Sequence, residues 1–545
     1  MQKKMSLSIL IGIVSLTVFS QTLEEGKKLL YYEKNKSALE VFKNIVAAKS
    51  SDPLSIYWLG QAYLANNDLS SAKNLYAQQK VANDPWILVG LGHIDLLEKK
   101  DEAAKEKFEK ALEISKSKKG VYNTDILLAV GMANADGDSK TGDAKYAIEK
   151  LTLAAELDKQ NPEPMFLLGI CYLKAGREYG GESVKAFREA TNRNPNYAKA
   201  YYRIGRIFQV QRNYESMSEE FDKAIKADPT FGLTYLAYFF YYQYKDVNLG
   251  KQNLDKYIAN SDKDCNSDYY VADYLYRAGK YNESLEKIKT MEANDCKNFM
   301  LLHILYAYNY EKLGDTLNTK IHLTKYLGET EADKITLTDY DFAAKFYAKF
   351  AADKPMAIVY FLQAADLATS KNEKIEFFSN AARVAADAGL FEKQIELLNK
   401  ITDLKGVKEE NDYYLLTKAA IDAKNWVSAD SLSNLYITAF PEKPQGYAFN
   451  VIVAKLLDAD TTKGLAIKPI TLYNDFLLKD KEKNKKTLYA NYYYLLIYYA
   501  QKAGDIQSAI DVTNKMMELY KEGEEYNFAK TINEQLLKKM GKKQK

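Results

Sequence analysis

AKAYYRIGRIFQVQRNYESMSEEFDKAIKADP, residues 198–229, is the stretch on which the fold turns. Tyr201, Ile204, Gly205 and Phe208 recur at steps of one, three and four, a spacing that gathers side chains on one face of an α-helix. Tyr214 marks a turn, and Phe221 and Ala224 carry the same period into a second helix that Asp228 and Pro229 close. Small residues at Gly205 and Ala224 let two antiparallel helices approach, and the large residues nearby fill the space beside them. Pro229 cannot donate the hydrogen bond that would prolong the second helix, so a new unit begins there.

The pattern recurs outward at a period of roughly 32 to 36 residues. Leu59, Gly60 and Tyr63 precede Ala72 and Tyr76, and Gly92 precedes Ala104, Phe108 and Ala111. Leu168, Gly169, Tyr172 and Gly176 precede Phe187, Ala190 and Pro195. Weaker units keep a turn and a second helix, at Gly279-Lys280-Tyr281, Gly314-Asp315-Thr316, Gly389-Leu390-Phe391 and Gly504-Asp505-Ile506. Each turn glycine suits the left-handed conformation that ends a helix.

These residues resemble the tetratricopeptide repeat, most closely from Leu54 to Pro229 and least from Ala332 to Ala490. The resemblance implies an all-α, right-handed superhelical solenoid of about fourteen antiparallel helix pairs between Thr22 and Tyr520. Residues 21–330 form an N-terminal array on this reading, 331–522 a divergent C-terminal array, and 523–545 a capping helix with a basic tail. Ala135 to Lys145 and Arg177 to Gly181 read as enlarged turns, Gly328 to Leu337 as a break between blocks, and Lys479 to Lys486 as a charged, mobile loop.

At the N-terminus, Lys3 and Lys4 precede an apolar run from Met5 to Phe19, with Ser20 before a cut at Gln21. That order is a secretory signal, residues 1–20, and the run is shorter than the ~20 residues that span a bilayer. No cysteine lies near the cut to carry a lipid. Without Lys3 and Lys4 the formal charge falls from +3 to +1, which gives the mature chain no electrostatic reason to seek nucleic acid. Tyr235 to Tyr244 and Leu488 to Ala500 are apolar but short, and read as buried helices. The 44 tyrosines, against three tryptophans, suit half-buried surfaces, or reflect a preference for Tyr where other chains use Leu or Phe.

Catalytic and metal motifs are sparse. His93, His303 and His322 lack the paired spacing and the glutamate of a zinc-protease helix; His303 and His322 sit on two helices of one unit and could approach. Asp136, Asp138 and Asp143 lack the closing glutamate of a calcium loop and read as a solvated turn. Cys171 reads as a small core residue. The reading is therefore of a chain with no enzymatic activity, no cofactor and no metal. Cys265 opens the first helix of one unit and Cys296 follows its second, so in an antiparallel pair the two are neighbours. A disulfide or two reduced thiols both fit at this stage.

The resemblance also implies a binding groove lined by the first helix of each unit. Its positions carry onto Tyr57, Gln61, Phe166, Tyr202, Arg206, Phe240, Tyr269, Tyr276, Arg277, Tyr308, Tyr494 and Tyr498. Tyrosine and arginine commonly dominate interface energy, although each of these could instead pack against a neighbouring helix. The cationic clamp that grips a C-terminal carboxylate in some members is not reproduced. The expectation is a periplasmic or outer-membrane-associated scaffold of a Gram-negative-type bacterium that holds segments of envelope proteins. Neither nucleic acid nor a small molecule is its expected ligand. The alternative is a glycan- or nutrient-binding envelope accessory, against which the missing lipid-bearing cysteine argues.

Overall fold

In a computed structural model of the chain, residues 22–77, 83–136, 141–294 and 296–543 are described. The signal-like segment and residues 137–140 of the acidic turn lie outside them. The described residues form α-helices joined by short turns, and consecutive helices pack as antiparallel pairs. The chain divides into two compact units, residues 1–322 and 323–545, with the division inside the helix Thr316–Glu329. The first unit holds eight complete pairs, from Leu23–Tyr31 with Asn35–Ala48 to Cys265–Arg277 with Tyr281–Ala293, and the helix Leu301–Lys312 that opens a ninth. The second holds five pairs, from Leu337–Tyr347 with Lys354–Leu367 to Lys481–Ile497 with Ile506–Leu519, followed by the helix Glu524–Lys543.

One contact repeats through the first unit and explains the pairing. In six pairs a glycine of the first helix lies against a large side chain of the second. An added Cβ would stand 2.4 Å from Phe42 at Gly26, 2.0 Å from Tyr76 at Gly60 and 2.5 Å from Phe108 at Gly92. At Gly131, Gly169 and Gly205 the same test gives 2.3 Å to Leu151, 2.5 Å to Phe187 and 2.4 Å to Phe221. Ordinary carbon contacts lie at about 3.5–4.0 Å, so these side chains occupy the volume a Cβ would need. Later pairs fill the equivalent site with alanine. Ala272 and Ile288, Ala382 and Leu398, Ala420 and Tyr436, and Ala454 and Ile470 keep the sixteen-residue interval of Gly205 and Phe221, with both partners buried. Hydroxyls add a second tie, Ser183 Oγ donating to Gly169 O and Ser284 Oγ to Ala272 O, each at 2.8 Å.

Most pairs turn through a left-handed residue, though the turns after Tyr242 and after Tyr347 do not. Gly279, Gly314, Gly389 and Gly504 have φ between +67° and +77°, and Glu33, Asn67, Lys99, Arg212 and Lys424 hold φ near +57° without glycine's freedom. Arg177–Tyr179 forms a 3-10 turn. Residues Lys479–Lys486 are not a loop. A 3-10 turn at Leu478–Asp480 runs straight into the helix Lys481–Ile497, because Asp480 caps Lys483 N at 3.3 Å and Glu482 lies in the first turn. The lysines of the basic tail are helical as far as Lys543. Among the described residues no helix is long and apolar enough to cross a membrane.

The first unit returns on itself. Its first pair lies against the loops that open the sixth, seventh and eighth pairs, 168 to 226 residues away. Tyr32 OH donates to Asp228 Oδ2 at 2.7 Å, and Lys199 N donates to Tyr31 OH at 3.0 Å. Asp262 accepts from Lys36 N, Ser37 N and Ser37 Oγ at 2.8, 3.1 and 2.5 Å.

Candidate partner-binding face

The groove positions fall into three groups. Tyr57, Gln61 and Phe166 are buried and present almost no surface to a partner. Tyr57 lies beneath Trp86 of the next pair, ring centroids 5.0 Å apart, and its hydroxyl has no hydrogen-bond partner among the described residues. Gln61 Nε2 donates to Tyr76 OH at 3.2 Å, and its Oε1 meets His93 Nδ1 at 3.2 Å, so its amide is spent holding the interior. Phe166 is wedged between Phe187 and Tyr197 at 5.5 and 5.6 Å, with the Lys199 ammonium 5.2 Å from its ring. At these three sites the neighbouring element closes over a first-helix face that the repeat pattern presents as open.

Tyr494 and Tyr498 belong to the second unit and are both half-buried. The Lys455 ammonium, its pKa lowered by burial, lies 4.5 Å from the Tyr494 ring. Tyr498 opens a π-helical turn, Tyr498–Ala503, and its hydroxyl occupies the space a side chain at Gly464 would need.

The third group forms a strip on the sixth to ninth first helices. Tyr202 is half-buried, stacked on Phe221 at 6.0 Å and edge-on to Phe231 at 5.6 Å. Phe240 is 36% exposed and edge-on to Tyr270 at 5.4 Å. Tyr269 leans on Phe299 at 5.7 Å, and Tyr276 stacks on Tyr308 at 5.7 Å. The Arg277 guanidinium lies 4.5 Å from the Tyr244 ring and donates to Asp273 Oδ2 at 2.7 Å. Burial pushes the Asp273 carboxyl above its usual range, and Arg277 opposes that shift. Arg206 is half-buried beside Tyr202 and, like Arg203 and Arg212, pairs with no carboxylate among the described residues.

The strip has members the sequence reading missed. Val210 is 81% exposed and Tyr244 is 74% exposed, and Lys245 Nζ sits 3.9 Å from the Tyr241 ring and 4.3 Å from Tyr214. The signal was present in the repeat register. Arg206, Phe240 and Asp273 are equivalent at intervals of 34 and 33, as are Val210, Tyr244 and Arg277. Tyr244 ends a stretch whose sequence reads as a buried helix, of which Tyr235, Tyr238 and Phe239 are in the core.

His303 and His322 touch, Nδ1 to Nδ1 at 3.0 Å, within a stack that includes Tyr306 and Tyr310. Among the described residues no group of three His, Cys, Asp or Glu side chains is placed to hold a metal ion. Cys171 is fully buried, and burial pushes its thiol up to about 12. Cys265 and Cys296 form a disulfide with Cα atoms 5.6 Å apart, tying the start of the eighth pair to the segment after it.

No family model matches the chain, and no curated protein matches its sequence. Among solved structures it is similar to the C-terminal part of a TPR repeat-containing protein from Cytophaga hutchinsonii, 20% identical over 48% of this chain and 98% of that one, with a TM-score of 0.29. A tetratricopeptide repeat protein from Parabacteroides merdae is 16% identical over 54% of this chain and 97% of its own, with a TM-score of 0.29. The human IFIT1 dimer, solved with PPP-AAAA, is 12% identical over 77% of this chain and 96% of its own, with a TM-score of 0.42. By its own helix pairs, repeated in register, the chain folds as a tetratricopeptide-like helical solenoid.

Proposed function

We propose that the chain is a non-catalytic scaffold of the cell envelope that holds a segment of a partner protein along the strip from Tyr202 to Tyr308. The observation that carries this reading is the exposure of Val210 and Tyr244 at repeat-equivalent positions of neighbouring units, with Phe240 exposed four residues before Tyr244. Large apolar side chains left in water at regular intervals along one face suit an extended or helical segment that covers several at once.

Arginine usage supports the same face. The chain has eight arginines, seven of them between Arg177 and Arg277. Arg188 and Arg193 are committed to Glu220 and to the carbonyls of Asp158 and Asn161, whereas Arg203, Arg206 and Arg212 keep their charge for another partner. Guanidinium favours flat carboxylate partners, so the segment proposed carries acidic as well as apolar side chains. The export signal read at residues 1–20 is the ground for the envelope location.

The test is a Phe240→Ala/Tyr244→Ala chain used as bait in the native envelope, with helicity as the folding control. A folded double variant that captures its partners at less than a tenth of the wild-type yield supports the strip. Wild-type yield from the folded variant places binding elsewhere.

A further inference from the structure

We infer that the first helix pair is a clasp, which shuts the first unit on itself and covers the Tyr202 end of the strip. The proposal deepens the reading of that face and rests on it only for the role of Tyr202.

Two helices lack caps of their own. The first four N–H groups of a helix need partners, which Ser, Thr, Asp or Asn at the N-cap ordinarily supplies. The helix Asn35–Ala48 starts from Lys34 and the helix Ala198–Val210 from Tyr197, and neither side chain caps its own helix. Each is served across the seam. Asp262, from the loop before the eighth pair, accepts the N–H groups of Lys36 and Ser37. Tyr31, from the end of the first helix, accepts the N–H of Lys199. The two helices are therefore capped from opposite sides of one junction.

An aromatic chain runs from the junction to the strip. The Tyr31 ring lies 5.4 Å from Tyr197 and 5.5 Å from Phe231, and Phe231 lies 5.6 Å from Tyr202. Tyr32 approaches Phe231 at 6.4 Å while its hydroxyl holds Asp228. The junction differs from the helix-pair contacts in kind. Its polar anchors are exposed or half-buried, whereas Gly205 and Phe221 inside a pair are buried. Tyr197 and Phe231 are buried at its centre, but the hydrogen bonds at its rim are exposed or half-buried, and such bonds open at lower cost than an apolar core.

Opening would separate the first pair from Phe231 and leave Tyr202 more exposed. A partner that needs Tyr202 therefore competes with the first pair, which makes the clasp self-inhibitory.

The full chain carrying Asp262→Ala tests this. Asp262 accepts from Lys36 and Ser37, whereas the Lys199 amide donates to Tyr31 and reports the far side of the junction. Amide exchange is followed by mass spectrometry in peptides covering 23–37 and 198–205, with radical footprinting of Tyr202. The clasp predicts at least tenfold faster exchange in both peptides and at least threefold more labelling of Tyr202, with helices from Glu163 to Arg193 unchanged. Asp262→Asn, which can still accept an N–H, should give a smaller rise at the same two places. Faster exchange confined to residues 35–38, with 198–205 and Tyr202 at wild-type values, shows loss of a local cap alone and overturns the proposal. None of these readouts uses a partner, so the clasp and the binding strip stand or fall separately.

Discussion

Gly205→Ala has two opposed effects whose balance depends on how tightly the helices of a pair are locked. On an open helix the change stabilises by about 1 kcal/mol, because alanine has the higher helix propensity. In the sixth pair the new methyl would lie 2.4 Å from Phe221 Cδ1 and 2.5 Å from Cε1, with Met217 O at 3.4 Å. Relief needs a displacement of about 1 Å. Phe221 has little room to yield, being fully buried with Tyr202 at 6.0 Å and Tyr238 at 5.2 Å. Overpacking of this kind costs about 1–3 kcal/mol, so the net expectation is a loss of roughly 1–2 kcal/mol. Adding Phe221→Leu to Gly205→Ala should restore part of it, a coupling that two independent sites would not show. Gly181→Ala, where a Cβ meets nothing within 4 Å, should be neutral or slightly stabilising. Denaturant titration followed by far-ultraviolet dichroism reads all four chains. A Gly205→Ala chain that is more stable than wild type refutes the lock.

Gly279→Ala should cost about 1 kcal/mol through its left-handed φ of +75° even though no atom blocks the methyl, again measured by denaturant titration. Removing the Cys265–Cys296 bridge, which closes a separation of 31 residues, should cost roughly 3–4 kcal/mol of local stability, seen as faster exchange in Tyr281–Ala293. Burial raises the pKa of Glu220, but Arg188 and Lys223 outweigh it and hold the carboxyl below its usual range. The sign follows: Glu220 stabilises the first unit above about pH 4.5 and that contribution is lost as pH falls through the depressed folded value. Glu220→Gln should flatten the acid limb of a stability–pH curve. Arg277→Ala should cost about 3–5 kcal/mol, because it leaves the Asp273 carboxylate buried without its ion pair, so it serves poorly as a binding probe.

Much of the fold was legible because each pair is a local object. Gly205 and Phe221 lie sixteen residues apart, and the contact that joins their helices is written in one short window. The strip was legible only in part. Spacing gives the direction a side chain takes around its own helix, and the groove positions carried over from the resembling repeat put Tyr202, Phe240 and Tyr276 on a face that stays partly open. How closely the next element approaches is a tertiary matter, which is why Tyr57 and Phe166, in the same register, are covered by Trp86 and Tyr197. The junction of the first pair with Asp228 and Asp262 lay further from reach, since no local pattern links residues about two hundred apart. Its trace in the sequence is negative: Lys34 and Tyr197 stand where a capping side chain belongs. Lys479 to Lys486 misled for a different reason. A run of lysines reads as a solvated loop, yet lysine is a good helix former once Asp480 caps the first turn.

The most direct test of the binding account is a photo-crosslinking residue placed at Tyr244 or Phe240, and at Glu219 on a second helix as the comparison, in cells that produce the chain. The account predicts discrete protein adducts from Tyr244 and Phe240 and none from Glu219. Equal adducts from all three positions, or none from the strip, would contradict it.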